Sequence, residues 1–378
     1  MKTTRILRPD GRYLIYYSFD APPPDALAVE QPARDDDAIE LRWNALLDEW
    51  VIVSTGRQER TFLPPPEYCP LCPTAGAGAF PTEIPSPSYE IVVFENRFPS
   101  FRPDAPEVAG TGPLGQRAAA RGACEVVVYS PEHDGTLASM PLTHVRRLVD
   151  VWAHRYAELS ARHDVACVFI FENRGREVGV TLTHPHGQIY AFPFVPPRVE
   201  QEHRAAERWE RERGGCLGCA IVAGAVADGR RVVAETEGFV AYVPFAARMP
   251  YEVHVAAKEH RASLLELTDG ERDGLASLLR EVQATYDALW GFAMPYTMSM
   301  HQRATDEVER AGDHLHVEFV PPYRSRDKLK YLAGVETGAG TFINDTSPEE
   351  KAEELRGAAG RRDAGSSTAE GGGWTARA

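Results

Sequence analysis

Two histidines flank a proline in the segment His184-Pro185-His186-Gly187-Gln188, inside an otherwise apolar stretch. Side chains two residues apart on an extended strand point the same way, so both imidazoles would face one side. If a metal ion holds His184, then His186 is positioned beside the metal and remains free to attack an electrophile. A nucleophile positioned in advance removes part of the entropic barrier to reaction. The segment alone is also compatible with two histidines packed in a protein core.

The two residues that follow His186 suit a reaction at phosphorus. Gly187 would allow a ligand to approach the backbone closely. The side-chain amide of Gln188 can donate hydrogen bonds to a phosphoryl oxygen as charge develops there. We therefore predict that His186 is a nucleophile and that Gln188 is a second catalytic residue, which binds the phosphoryl group.

Four of the six cysteines form two Cys-x-x-Cys pairs. Because the N-terminal stretch lacks the apolar run of a signal peptide, these pairs favour metal or redox sites over a disulfide framework. Each pair is followed by a histidine that comes after a glutamate, and then by the first histidine of a His-x-His. Two cysteines and two histidines complete a tetrahedral zinc site. The predicted Zn2+ ligands are Cys69, Cys72, His133 and His184 in the first site, and Cys216, Cys219, His260 and His314 in the second.

The order of these features is the same in both halves of the chain: a Cys-x-x-Cys pair, a Glu-His dipeptide, an amphipathic helix, an apolar run and a His-x-His. A matching order over several elements indicates two related domains. Runs rich in β-branched and aromatic residues predict strands between the helices. We expect an α+β fold in which each domain is an antiparallel sheet with flanking helices. The expected boundaries are an irregular leader over 1–40, domains over 41–205 and 206–355, and a disordered tail over 356–378.

Composition excludes several classes of protein. The chain has 378 residues, and 41 Lys and Arg against 55 Asp and Glu give a net charge of −14. Such an acidic chain is poorly suited to non-specific binding of nucleic acid. No apolar run reaches the length that a transmembrane helix needs. We therefore expect a cytoplasmic protein with small-molecule ligands and with neither nucleic-acid nor membrane partners.

Several segments together resemble the galactose-1-phosphate uridylyltransferase family, a two-domain branch of the histidine-triad superfamily. The resemblance spans roughly residues 41–355 and implies two histidine-triad-like domains, of which the first is the catalytic uridylyltransferase domain. Within this series HPHGQ is a specific signal. The other segments are LRWNALLDEWVIVSTGRQER, CPLC, YEIVVFENRF, VVVYSPEH, FENRGREVG, HLHVEFVPP and KYLAGVE.

The resemblance implies a ping-pong transfer through a covalent intermediate. His186 would attack the α-phosphorus of UDP-glucose, release glucose 1-phosphate and become uridylylated. Galactose 1-phosphate would then take the uridylyl group and leave as UDP-galactose. Both the leaving and the attacking groups are phosphates that are already ionised near neutral pH. The protein would therefore mainly orient the substrates and neutralise their charge.

The resemblance also implies substrate contacts in the first domain. Asn96 and Phe98 match positions that hold the uracil and the ribose. Asn173 matches a sugar-contacting asparagine, and Thr181 matches a hydroxyl residue near the phosphates. Arg97 lies between Asn96 and Phe98, at a position where some members of the family carry an acidic residue. The nucleotide contact that the acidic residue makes is therefore not assigned to Arg97.

Four further positions match residues that act at or near the hexose and the neighbouring subunit. Arg57 and Arg60 match arginines that reach phosphate in the neighbouring subunit's site, which implies a homodimer. Lys330 and Glu336, in KYLAGVE, match positions of the hexose site.

The second half departs from one pattern of the family. Some members bind a second metal, reported as iron, through a glutamate and three histidines. Glu202 and His301 match two of these positions, but Glu318 replaces the last histidine. We therefore expect the second metal to use the Cys2His2 set of the second half instead. His316 is the counterpart of His186, but a carboxylate at 318 would repel a phosphate, so the second domain is not expected to catalyse.

Three other functions compete with this interpretation. A relative with the same covalent histidine could act on an adenine nucleotide, as an ADP-sugar phosphorylase or a diadenosine tetraphosphate phosphorylase. A double zinc-ribbon binding module would be expected to have basic surfaces and closely spaced ligands, whereas this chain is acidic and its ligand sets are widely spaced. A simple histidine-triad hydrolase is disfavoured by Gln188, where hydrolases usually carry another histidine.

Overall fold

The structure is a computed structural model that describes residues 1–24, 38–59, 62–74, 80–306, 308, 310 and 312–369. Most of its strands are rich in valine, isoleucine and aromatic residues, as expected of chains that pair in a buried sheet. The strands are β1 (Lys2–Leu7), β2 (Tyr13–Ser18), β3 (Ile39–Asn44), β4 (Glu49–Ser54), β5 (Ile91–Glu95), β6 (Arg117–Ala119), β7 (Ala123–Val128), β8 (Cys167–Arg174), β9 (His186–Phe192), β10 (Val232–Glu235), β11 (Phe239–Tyr242), β12 (Val253–Ala257), β13 (Tyr296–His301), β14 (His316–Val320), β15 (Tyr323–Ser325) and β16 (Lys328–Leu329).

Eleven of these strands form one antiparallel sheet in the order β1-β2-β5-β7-β9-β8-β13-β14-β12-β11-β10. The six strands from β1 to β8 in this order belong to the first half of the chain, and the other five belong to the second half. The halves meet where β8 pairs with β13, for example at Phe171 opposite Ser299. Each half places its His-x-His at the start of the strand next to this central pair, in β9 and in β14. The predicted α+β fold is confirmed, and the sheets of the two halves are joined into one.

The described residues form six α-helices: α1 (Leu142–Ser160), α2 (Pro197–Arg213), α3 (Leu217–Asp228), α4 (Asp269–Trp290), α5 (Gly334–Ala339) and α6 (Pro348–Ala369). Helices α1, α4 and α6 pack together and share the main hydrophobic core with one face of the sheet, while α2 and α3 pack on each other beside the second half. None of the described helices is both long and apolar enough to cross a membrane.

The two long core helices follow local sequence signals. In α1 a stripe of apolar positions recurs at helical spacing and is buried, including Leu148 and Trp152. Helix α4 begins with a capping box, in which the Thr268 side chain accepts from the backbone N–H of Glu271 and the Glu271 carboxylate accepts from that of Thr268. It ends at Gly291, whose left-handed backbone (φ 75°) suits glycine. These helices cover one face of the sheet and leave the His-x-His side chains on the other face.

The expectation of an irregular leader over 1–40 is wrong for its first part. Strands β1 and β2 form an antiparallel hairpin, and β2 continues the main sheet by pairing with β5. The turn between them contains Asp10-Gly11, and Gly11 has a φ of 82°. An Asp-Gly turn between two strand-like runs is a signal for a β-hairpin. The expectation of an irregular leader rested on the content of Pro, Asp and Ala alone and did not include this signal. Of the rest of the leader, residues 25–37 lie outside the described residues.

Two other expected boundaries also differ from the structure. The junction placed at 205 lies inside α2, which runs without interruption from Pro197 to Arg213. The tail expected to be disordered from 356 continues α6 as far as Ala369, and Ala358 is fully buried. Burial of alanines on one side of this helix supplies packing that a count of Gly, Ser and charged residues does not reveal. Residues 370–378 lie outside the described part.

Candidate active site and metal sites

The four ligands predicted for the first metal site lie together, with their donor atoms within 4.8 Å of one another. Sγ of Cys72 is 3.3 Å from Nδ1 of His133 and 3.5 Å from Nδ1 of His184. Nε2 of His184 donates to the backbone carbonyl of Ser130 at 2.8 Å, which turns Nδ1 toward the thiols. A backbone acceptor on the outer nitrogen is the usual way in which a protein orients a ligating histidine.

Without a metal ion this group is neutral, with a protonated thiol and an unprotonated imidazole. Burial, reinforced by the neighbouring Cys69, raises the pKa of the Cys72 thiol to about 12. Burial lowers the pKa of His184 to about 4, so that its imidazole is neutral. A divalent cation among these atoms would favour the thiolate form, and a neutral imidazole is the ligating form. The donor set therefore fits a thiophilic cation such as zinc.

The second predicted set has the same arrangement. Sγ of Cys216 is 3.6 Å from Nδ1 of His314, and Sγ of Cys219 is 3.8 Å from Nδ1 of His260. Nε2 of His314 donates to the carbonyl of Ala257 at 2.8 Å, as His184 does in the first half. The four donor atoms lie within 4.8 Å of one another. The repeat seen in the sequence is thus a repeat in space of two groups that could hold a metal ion.

His186 has one nitrogen tied to the backbone and the other available for chemistry. Its Nδ1 is 2.8 Å from the carbonyl oxygen of His184. Because a carbonyl can only accept, the proton lies on Nδ1 and the lone pair lies on Nε2. Burial lowers the pKa of His186, which keeps the imidazole neutral. The arrangement is suited to nucleophilic attack by Nε2.

Five of the residues predicted to act on substrate line one cleft in the first half: His186, Gln188, Asn96, Phe98 and Thr181. The strands bring them together. Gln188 on β9 lies opposite Val126 on β7, which lies opposite Phe94 on β5, and these last two also line the cleft. The residues Asn96 and Phe98 follow directly after β5. The cleft therefore runs across one face of three neighbouring strands.

Asn173 shares a face of the sheet with this cleft. Phe171 on β8 lies opposite Gln188, and Asn173 is two residues further along the same strand. Because side chains alternate along a strand, Phe171, Asn173 and Gln188 lie on one side. Asn173 is half-buried and lies opposite Thr297 of β13, on the boundary between the two halves. Asn173 is not among the described residues that line the cleft.

The remaining predicted residues lie elsewhere. Arg57 donates to the carbonyl of Phe98 at 3.1 Å and to the hydroxyl of Tyr190 at 3.2 Å, so within its own chain it holds the loop after β5. Lys330 and Glu336 form an ion pair of 3.0 Å with each other, away from the described lining of the cleft. Arg60 lies outside the described residues.

Gly187 faces the opposite side of the sheet from the cleft-lining residues on either side of it. A Cβ atom at this position would collide with the hydroxyl oxygen of Tyr129 and lie 3.1 Å from the carbonyl oxygen of Phe171. That hydroxyl donates to the buried carboxyl group of Glu172 at 2.9 Å. The glycine is therefore required by packing against the core, whereas the sequence suggested a close approach of ligand.

A third group of possible metal ligands lies in the second half. It contains Glu202, His301, His316 and Glu318, whose donor atoms lie within 4.8 Å of one another. Nδ1 of His301 is 2.9 Å from a carboxylate oxygen of Glu202, and the rings of His301 and His316 stack with centroids 4.8 Å apart. From the sequence, this group was expected to be replaced as a metal site by the second Cys2His2 set. The structure forms both groups, at separate places.

Glu318 lies within a network of positive and neutral donors that the sequence did not reveal. Nη2 of Arg198 donates to both of its carboxylate oxygens, at 2.6 and 2.8 Å, and Nε2 of His254 lies 3.3 Å away. Burial alone would raise the pKa of Glu318, but the neighbouring histidines and Arg198 outweigh it and lower the pKa to about 2. Glu318 follows His316 by two residues, as Gln188 follows His186, so the carboxylate stands in the second half where the amide stands in the first.

Comparison with known proteins agrees with this geometry. The model of the galactose-1-phosphate uridyl transferase N-terminal domain matches residues 30–196, and that of the C-terminal domain matches residues 202–364. A galactose-1-phosphate uridylyltransferase of Thermotoga maritima is 46% identical over 321 residues, which cover 84% of this chain and 98% of the relative. A homologous enzyme of Streptomyces lividans is 36% identical and covers 94% and 98% of the two chains.

Solved structures show the same relationship. A uridylyltransferase structure superposes with a TM-score of 0.75 at 35% identity, over 85% of this chain and 99% of the other. An ADP-glucose phosphorylase from Arabidopsis thaliana shares the fold, with a TM-score of 0.63 at 23% identity over 84% and 99% of the chains. Sequence identity over nearly the whole length, two matching domain models and the two clustered Cys2His2 sets agree. The chain belongs to the galactose-1-phosphate uridylyltransferase family.

Proposed function

We propose that the chain transfers a uridylyl group from UDP-glucose to galactose 1-phosphate through a uridylyl-His186 intermediate. In the first step Nε2 of His186 attacks the α-phosphorus of UDP-glucose. A bond between phosphorus and nitrogen forms, and the bond to the bridging oxygen breaks, which releases glucose 1-phosphate. In the second step a phosphate oxygen of galactose 1-phosphate attacks the same phosphorus, the bond to nitrogen breaks, and UDP-galactose leaves.

The observation that carries this proposal is the hydrogen bond from Nδ1 of His186 to the carbonyl of His184. It leaves a lone pair on Nε2 of a residue that lines the cleft, beside Gln188 and Thr181. These two side chains can donate hydrogen bonds to phosphoryl oxygens, whose charge grows as the bonds change. Neither step needs a general acid, because both sugar phosphates attack or leave as ionised groups.

We further propose that both Cys2His2 sets hold zinc. In the first half the metal would fix His184, and through its carbonyl the ring of His186. Its contribution would be structural and electrostatic, since two cysteines and two histidines would hold it. We also propose a cytoplasmic homodimer, in which the exposed apolar residues Tyr331 and Leu332 beside Lys330 contribute to the contact between subunits.

The proposal is tested by measuring the intact mass of the protein after incubation with UDP-glucose or ADP-glucose. We expect one uridylyl group per chain, and we expect galactose 1-phosphate to remove it. His186→Asn should form no adduct. The matched control is His316→Asn, which alters the corresponding residue of the second half and should still form the adduct.

Other outcomes would contradict specific parts of this proposal. An adenylyl adduct from ADP-glucose without a uridylyl adduct would assign the chain to the adenine-nucleotide alternative. Full transfer activity in His186→Asn would exclude the covalent histidine altogether. An adduct on His316 would show that the second half catalyses.

A further inference from the structure

Arg97 is a cationic side chain in the cleft whose charge is not used by the described part of the chain. It lines the cleft together with His186 and Gln188. Its guanidinium carbon lies 5.2 Å from the centre of the Phe98 ring, a cation–π contact. Its Nε atom is shielded from solvent and has no hydrogen-bond partner among the described residues. A donor that is shielded from water and has no acceptor lowers the stability of the protein, unless a bound ligand supplies the acceptor.

The other charged residue of the cleft cannot neutralise Arg97, because its own charge is already satisfied. Glu83 forms an ion pair with the buried Arg8 and a second one with the buried Arg12, at 3.0 Å from Nη1. Of the described residues that line the cleft, Arg97 is the one lysine or arginine. The cleft therefore keeps a positive charge in an otherwise acidic protein.

The loop that carries Arg97 is held on both sides. The side-chain oxygen of Asn96 accepts from the backbone N–H of Phe98 at 2.9 Å, and the N–H of Asn96 donates to the carbonyl of Cys124 at 2.8 Å. Arg57 donates to the carbonyl of Phe98 at 3.1 Å. Because this backbone is fixed and Phe98 supports the guanidinium, little further conformational entropy is lost when Arg97 meets a ligand.

We propose that Arg97 binds the diphosphate of the sugar nucleotide and is a substrate-binding residue of the first half-reaction. The inference rests on the proposed function, which places a diphosphate at His186. Guanidinium groups bind phosphate oxygens through short, charge-assisted and often bidentate hydrogen bonds. An acidic residue at this position could not make that contact, so the role is specific to chains that carry a basic residue here.

Binding of a graded series of ligands separates a phosphate contact from a contact to the nucleoside. The affinities of uridine, UMP and UDP are measured by titration calorimetry for the unmodified chain and for Arg97→Met. We expect the variant to bind UDP at least about tenfold more weakly, to bind UMP more weakly by an intermediate factor and to bind uridine unchanged. Arg97→Lys should recover part of the lost UDP affinity.

Arg5→Met is the matched control. Arg5 also stacks on an aromatic ring, with its guanidinium carbon 4.1 Å from the centre of the Tyr13 ring, but it is exposed on β1. This variant should bind all three ligands like the unmodified chain. If Arg97→Met and Arg97→Lys both bind UDP normally, or if uridine and UDP weaken equally, Arg97 does not bind the diphosphate.

Measuring uridylyl adduct formation in the same proteins distinguishes a failure of the proposed function from a failure of the role of Arg97. An unmodified chain that forms no uridylyl adduct contradicts the proposed function. An unmodified chain that forms the adduct, together with an Arg97→Met variant of normal UDP affinity, contradicts only the role of Arg97. Slower adduct formation by Arg97→Met at low UDP-glucose concentration, relieved at saturating concentration, would support binding over catalysis.

Discussion

Gln188 and Glu318 lie in one row that crosses the whole centre of the sheet. Gln188 is opposite Phe171, Phe171 is opposite Ser299, and Ser299 is opposite Glu318. The row places the two residues at equivalent distances from the central strand pair. His186 and His316 also correspond, since each points Nδ1 at the carbonyl two residues before it. The two halves thus share a scaffold, and the second differs by a carboxylate at the position that would meet phosphate.

Exchange of the amide and the carboxylate at these two positions should therefore have unequal effects. Gln188→Glu should slow uridylyl adduct formation by about 100-fold or more, because a fixed donor is lost and a negative charge faces the phosphate. Glu318→Gln should leave adduct formation unchanged, because it lies in the half without a nucleophilic role. Rapid-quench kinetics with UDP-glucose measures both. Comparable rates for the Gln188→Glu variant and the unmodified chain would contradict the role of Gln188.

Gly187 offers a test of how the core positions the catalytic strand. Gly187→Ala should lower the turnover number by about tenfold or more and destabilise the fold by about 1–3 kcal/mol, because its Cβ collides with the Tyr129 hydroxyl. Tyr129→Phe removes that oxygen, so Gly187→Ala should cost much less in this background. Turnover and urea unfolding of the four proteins form a double-mutant cycle. An equal cost in both backgrounds would instead support a role of Gly187 in ligand approach.

The chemistry of the site was predictable where it depends on short segments. The Cys-x-x-Cys pairs and the His-x-His motifs each fix their spacing within a few residues, and recurrence in both halves identified the two ligand sets. Arg198 and His254 were not predictable as partners of Glu318, because they come from a helix and a strand far apart in the chain. Their pairing depends on how the sheet brings distant segments together.

In the fold, too, features that depend on local sequence were predictable and features that depend on contacts between distant segments were not. Helix α1 was predictable from apolar periodicity, and strands such as β5, β7 and β8 from runs of β-branched and aromatic residues, because both signals depend only on neighbours in sequence. Strands β1 and β2 were missed. The joining of the two half-sheets through β8 and β13 was not predictable, because either strand could equally have been an edge. Nor was the packing of α6, whose buried Ala352, Leu355 and Ala358 carry little hydrophobic signal within a charged helix.

The two metal groups should differ in their effect on activity. Cys72→Ser should remove one equivalent of zinc and abolish most adduct formation, because His184 is then free to move and His186 with it. Cys216→Ser should also remove one equivalent, but it should retain adduct formation wherever the variant stays folded. Elemental analysis gives the zinc content, and circular dichroism reports folding. Two equivalents of zinc in either variant would contradict the assigned ligands.

Glu172 should make stability depend on pH in the direction opposite to that of a salt-bridged acid. Burial raises its pKa, and the hydroxyls of Tyr296 and Tyr129, which donate to it at 2.8 and 2.9 Å, lower the pKa only in part. In the folded state the group thus holds its proton to a higher pH than in the unfolded chain. Between the two pKa values the folded state binds more protons, so the free energy of unfolding falls as pH rises.

Glu172→Gln removes this proton uptake while it keeps a polar group of similar shape between the two tyrosines. Relative to the unmodified chain, the variant should therefore become more stable as pH rises from about 4.3, the unperturbed value, toward 8. Urea unfolding at several pH values measures the difference. Glu172→Ala serves as the comparison, because it also loses the hydrogen bonds and leaves a cavity, which adds a cost at every pH. A difference between Glu172→Gln and the unmodified chain that stays constant over this range would mean that folding does not raise the pKa of Glu172.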